Sequence, residues 1–135
     1  MPTMVRLHVT YGAVLAIAAV FRSNVFATTT NPNGKGKVKV EITKKVSCER
    51  LTRNGDALGV HYRGSLKANG EEFETNFGSD PFLFRIGQGE VIEGWDRGLL
   101  NMCVGEHRTL TIPPGLAYGE HGTSGIPPNS TLGES

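Results

Sequence analysis

The sequence predicts an α+β domain, an antiparallel sheet folded over one short helix, and three observations carry that expectation. Several segments alternate polar and apolar residues at period two, the mark of half-buried strands. Only one stretch, 91–102, repeats its apolar residues at helical spacing. The chain's 18 glycines and 7 prolines suit a turn-rich sheet better than a helix bundle. Its 135 residues suffice for one domain and not two. A hydrophobic share of 38% and 20% charged residues exclude wholesale disorder. Lys and Arg total 14 against 13 Asp and Glu, a net charge of +1, with no basic stripe, so a nucleic-acid-binding module is excluded as well.

The N-terminal residues are a targeting segment by composition. After Arg6, residues 9–21 run without a charge. That stretch is shorter than the roughly 20 residues a membrane span needs, and it fits the apolar region of a secretory signal peptide. Val25 and Ala27 put small residues at the −3 and −1 positions of a cleavage site. The alternative is an uncleaved anchor, since Arg22 interrupts the approach to that site. Cleavage would leave acidic side chains outnumbering basic ones by one, in a protein without a further apolar run. The expected organisation is a signal peptide over 1–27, a flexible segment over 28–36 and one domain over 37–135.

Within the domain, 37–42 alternates charged and apolar residues and reads as a half-buried strand. Asn54-Gly55-Asp56 is a turn, and 57–66 is the next strand. Asn69-Gly70 is a hairpin signal returning the chain through Glu72-Phe73. Beyond the turn-rich 76–80, residues 81–86 are extended. In 91–102, Ile92, Trp95, Leu99 and Met102 share one helical face, while Gly94 and Gly98 weaken the helix and keep it short. Residues 107–112 form another strand, stopped by Pro113-Pro114, and 115–128 is a long loop with Tyr118 near its start. There is no internal repeat.

Cys48 and Cys103 both follow the signal, and in an oxidising lumen such a pair reads as one disulfide, with two buried free thiols as the alternative. A bridge would contribute roughly 4 kcal/mol on the loop-entropy account. The four histidines stand apart, none at zinc-ligand spacing, and neither metal nor cofactor is expected. No nucleophile–base set, nucleophile elbow or phosphate loop occurs. The pair Glu71-Glu72 reads as a solvated hairpin tip. What stands out is seven aromatics from separate elements: Tyr62, Phe73, Phe77, Phe82, Phe84, Trp95 and Tyr118. They either fill the core or, in so small a domain, line a concave pocket with the surplus.

The blocks Val60-His-Tyr-Arg-Gly, Asn69-Gly-Glu-Glu-Phe, Pro81-Phe-Leu-Phe, Gly89-Glu-Val-Ile-Glu-Gly-Trp-Asp-Arg-Gly, Met102-Cys-Val-Gly and Ala117-Tyr-Gly-Glu resemble FKBP-type peptidyl-prolyl cis-trans isomerases. The resemblance runs from about Val38 to Leu132, and its Glu-Val-Ile-x-Gly-Trp segment is highly specific. It implies a twisted antiparallel sheet wrapped over a short helix, with an apolar pocket between them. It implies Trp95 as the pocket floor, Tyr62, Phe73 and Phe82 as walls, and Val91 and Ile92 as the rim. The Ile92 N–H would donate to a bound carbonyl, Tyr118 would supply a hydroxyl from the flap, and Ile126 an apolar contact at the flap's far end. The signal and the two cysteine positions resemble the endoplasmic-reticulum subgroup, whose members carry one disulfide at those places.

The implied activity is rotation of X–Pro bonds during folding of secretory proteins. Proline-containing polypeptides would be substrates, and macrolides such as tacrolimus and rapamycin would share the pocket of a monomeric protein, with no nucleic acid and no membrane after cleavage. Rotation breaks amide resonance, at about 18–20 kcal/mol, and needs no covalent step. Twisting removes charge separation, so a dry apolar pocket favours the twisted amide while placed donors orient the peptide. A non-catalytic binding module and an inactive truncated product are the competing readings.

Three departures from the family pattern bear on this. Glu74 stands where the family has Asp, and 77–79 supplies no basic partner for it. The flap from 118 to 127 is one residue short. After Thr131-Leu132 the family continues with a central strand of about ten residues, where this chain has Gly133-Glu134-Ser135. About four inward side chains at 1.5–3 kcal/mol each would be lost, roughly 6–12 kcal/mol against a total near 5–15, leaving neighbouring strands unpaired. The chain is expected to be a fragment or a compromised fold, with the C-terminal retention signal absent. Asn129-Ser-Thr131 is a glycosylation sequon, either used or left unused by burial.

Overall fold

The computed structural model describes the backbone of residues 3–6 and the whole of 34–135. The expected signal peptide and its cleavage site lie outside the described residues, apart from residues 3–6. The elements are β1 (Thr3–Arg6), β2 (Lys39–Lys44), β3 (Ala57–His61), β4 (Arg63–Leu66), β5 (Glu72–Thr75), β6 (Phe82–Arg85), α1 (Glu93–Gly98), β7 (His107–Ile112), a 3-10 turn (Pro114–Leu116) and β8 (Leu132–Glu134). One sheet has the order β2-β7-β8-β4-β5, all antiparallel, and a second has β1-β3-β6. In the second sheet β6 is antiparallel to β3 and β1 is parallel to it, Thr3 facing Leu58 and Arg6 facing His61. The predicted class holds.

The helix is pinned to β7 by its own glycines. A Cβ at Gly94 would stand 2.4 Å from Ile112 Cγ2, and one at Gly98 would stand 2.7 Å from Leu110 Cδ1. The residues that weaken the helix locally are therefore the ones that let it lie flat on the sheet. Leu58, Ile86, Leu99, Met102, Leu110, Ile112 and Leu132 form the fully buried centre beneath it.

Buried polar groups fix the helix's far end. The Arg108 guanidinium pairs with Glu106 at 2.6 Å and donates to the carbonyls of Gly98, Leu100 and Asn101 at 2.7–2.9 Å. Those are the carbonyls that a helix end leaves without partners. The Thr52 hydroxyl donates to the Leu99 carbonyl at 2.6 Å and accepts from the Met102 N–H at 2.9 Å. Cys48 and Cys103 form the disulfide, Cα to Cα 5.8 Å, and tie the segment before β3 to the loop after α1.

Four elements differ in detail from the sequence pattern. The segment 57–66 is two strands, interrupted at Tyr62. The helix occupies only the middle of 91–102, ending at Gly98 with Leu99 as its C-cap, and Asn101 beyond it takes positive φ. The strand expected to be half-buried is exposed throughout, with Val40 at 41% and Ile42 at 51%, because β2 is the sheet's edge and lies beyond the helix. Leu132–Glu134 does form a strand, paired on both sides in the middle of the sheet, and Arg63 and Ser135 extend the pairing by exchanging backbone hydrogen bonds.

Candidate functional site

The interruption between β3 and β4 creates the site. At Tyr62 the ladder breaks, and the side chain of Asn76 takes it over. Its Oδ1 accepts the Tyr62 N–H at 2.8 Å and its Nδ2 donates to the Val60 carbonyl at 3.0 Å. The Thr75 hydroxyl donates to the Tyr62 carbonyl at 3.0 Å. The chain turns there without orphaned backbone groups, and the Tyr62 ring swings over the helix.

A second irregularity lies opposite. Gly64 faces Glu74 while Ser65 faces Glu72, so Phe73 is the extra residue of a bulge. Neighbours on a regular strand point to opposite faces, yet Phe73 and Glu74 both line the pocket. Gly64 makes room for this, since a Cβ there would stand 2.6 Å from the Phe73 ring.

The floor is Trp95, 5% exposed, at the centre of a set of rings. Tyr62 meets it edge-on at 4.9 Å between centroids, Phe82 edge-on at 6.2 Å and Phe84 tilted at 5.7 Å. These are favourable geometries that bury large apolar area. The rim is set by the turn before α1, where the Asp96 carboxylate accepts the N–H groups of Gly87 and Gly89 and Glu90 accepts that of Arg85. Ile92 precedes the helix in extended conformation, so its N–H lies outside the helical ladder.

The cavity so formed has a volume of about 400 Å³ and a mainly apolar lining. Of the residues singled out from the sequence, Tyr62, Phe73, Glu74, Phe82, Val91, Ile92, Trp95 and Tyr118 line it together. Ile126 does not line it: it bridges to Thr123, 5% exposed, and packs with the core. Asn129 is exposed at positive φ, away from the pocket. Phe77 stacks on His61 outside it.

Two lining residues, Glu90 and Glu134, escaped the sequence reading. Glu90 sits in the quoted family block and could have been weighed as rim. Glu134 gave no signal, because its placement depends on pairing with Gly64 and Leu110 across strands distant in sequence.

Burial, then its hydrogen bond to Glu74, raises the Tyr62 hydroxyl above the ordinary phenol range. Burial and the negative charges of Glu134 and Glu74 also raise Tyr118. Both stay neutral hydroxyls at physiological pH. Burial, reinforced by Glu74, pushes Glu134 up to about 8. Among the described residues there is no cluster of potential metal ligands. The arrangement can bind, dehydrate and orient a small apolar group, and it offers no nucleophile.

A helix-backed antiparallel sheet with an aromatic pocket and hydroxyl donors defines the class of small peptide- or ligand-binding α+β domains. Residues 48–133 match the family model described as FKBP-type peptidyl-prolyl cis-trans isomerase, and the chain belongs to that family. It is 49% identical over 96 residues to FK506-binding protein 2 of Podospora anserina, covering 70% of this chain and 52% of the relative. It is 44% identical over 116 residues to FK506-binding protein 2 of Gibberella zeae, covering 85% and 59%. Against peptidyl-prolyl cis-trans isomerase FKBP2 of Homo sapiens it is 42% identical over 114 residues, covering 83% and 79%. The chain thus spans little more than half the length of the two fungal relatives.

Proposed function

We propose that this chain accelerates cis–trans rotation of X–Pro bonds in the pocket over Trp95. The observation that carries the reading is the set of three rings around Trp95 beneath a cavity of about 400 Å³. Such a surface accepts the prolyl ring and strips water from the adjoining amide, and a less polar twisted amide gains from that. The Ile92 N–H and the Tyr118 hydroxyl are the donors that hold the peptide carbonyls, with Tyr62, Phe73 and Phe82 as walls. Lowering a barrier of about 18–20 kcal/mol this way requires only positioning and dehydration.

The same pocket is assigned to macrolides, in line with relatives named as FK506-binding proteins. The assigned setting is the secretory pathway, with residues 1–27 as a signal peptide whose removal takes β1 away from the edge of β3, 28–36 as a lead segment and 37–135 as a monomeric domain acting on folding clients. The disulfide supports an oxidising compartment. Asn129, exposed within its sequon, is assigned as a glycan acceptor. Refolding of a substrate limited by a trans-to-cis prolyl step tests the activity. The slow phase is expected to speed up in proportion to the amount of this protein added, and an unchanged phase with ligand still bound would make the domain a binding module.

A further inference from the structure

We infer that Glu134 makes the pocket select peptides with a lysine or arginine beside the proline over apolar or acidic ones. The inference rests on the isomerase reading above and names its substrate class. Glu134 is 3% exposed, lines the cavity, and its Oε2 has no hydrogen-bond partner. An unpaired polar atom buried against a cavity is a costly arrangement unless something entering the cavity satisfies it.

The charges around it share one sign. Glu134 faces Gly64 of β4 and Leu110 of β7 in register, with Glu74 beyond Gly64 on β5. Tyr62 and Tyr118 close the remaining sides, and Glu90 stands on the rim. Among the described residues no Lys, Arg or His lines this cavity. The cations flanking the lining residues are engaged elsewhere: Arg63, next to Tyr62, with Glu72, and Lys35 and Arg97 with Glu93, next to Ile92. A cationic side chain beside the bound proline therefore enters a negative field screened by apolar walls, whereas an acidic one meets repulsion.

Protons sharpen the expectation. Burial and Glu74 keep the free Glu134 largely protonated at neutral pH. A bound cation favours the ionised form, so it expels a proton on binding, and an apolar peptide does not. The preference should grow between about pH 6 and pH 9.

The test compares Ala-Xaa-Pro-Phe peptides with Xaa as Lys, Leu or Glu. Binding is read from the fluorescence of Trp95, the chain's one tryptophan, and turnover from isomer exchange. The Lys peptide is expected to bind about tenfold tighter than the Leu peptide at pH 8 and low salt, with the margin shrinking as salt is added. In Glu134→Gln the Lys-to-Leu ratio should fall to within about twofold. Calorimetry of the unaltered protein in two buffers of different ionisation heat needs no variant, and it should find proton release with Lys and none with Leu. Equal Lys-to-Leu ratios in both proteins, or no proton release, overturn the inference even where the Leu peptide is isomerised. Selective binding of the Lys peptide without turnover of any peptide would sustain the selectivity and overturn the isomerase reading.

Discussion

The two sides of the pocket are built on opposite terms. On the helix side the turn and the helix end are fully tied down: Asp96 holds the rim turn, and Arg108 and Thr52 close the helix end, while the Trp95 indole N–H is left without a partner. Gly94 and Gly98 let Trp95 be carried close to the sheet. On the sheet side the wall ends in Glu134, whose buried carboxyl keeps an oxygen unpaired. The first arrangement fixes a surface of constant charge; the second leaves a titratable group to respond to what binds. Changes to the groups that tie down the helix and its rim turn should act through stability, and changes at Glu134 through pH and ligand charge.

The largest expected effect is at Arg108. Arg108→Ala leaves Glu106 charged and buried and three helix-end carbonyls without donors, and should cost about 3–5 kcal/mol in urea unfolding. Removing both charges together, as Arg108→Met with Glu106→Gln, should cost less than the single change, since no lone charge stays buried. A single-variant loss under about 1 kcal/mol would mean that the helix end does not depend on this network.

A smaller effect separates the two sides by pH. Glu134 has a folded pKa of about 8, above the ordinary value, so the folded state holds its proton where the unfolded state has lost it. Stability should be full below the unfolded pKa near 4.5 and fall as pH rises toward 8, by at most about 1.4 kcal/mol per pH unit. Glu134→Gln should flatten that slope between pH 5 and 8, while Arg108 variants keep it. Parallel slopes in Glu134→Gln and the unaltered protein would remove the contrast.

Much of this was legible in the sequence, for local reasons. The spacing of Ile92, Trp95, Leu99 and Met102 placed the helix, and Asn69-Gly70 placed the hairpin. The quoted blocks supplied most of the lining residues, because each block carries its own turn or strand chemistry. What escaped depends on long-range pairing. Asn76 read as a turn residue, yet it replaces a strand's hydrogen bonds at Tyr62. The edge position of β2 exposes Val40 and Ile42 despite an alternating pattern. Ile126, apolar and on the flap, was expected at the pocket but packs in the core instead. Glu134 is polar and near the last residue of the chain, and only the β4-β8-β7 register shows it to be a pocket wall.

The central claim is that the ring-lined floor itself catalyses rotation. Its most direct measurement is NMR exchange between the cis and trans forms of an Ala-Leu-Pro-Phe peptide, with the unaltered protein and with Trp95→Ala at conditions where both are folded. The account predicts accelerated exchange with the unaltered protein and a loss of at least about tenfold, or 1.4 kcal/mol of barrier lowering, in Trp95→Ala. Equal acceleration by the two proteins would contradict it, because catalysis would then lie outside the pocket over Trp95.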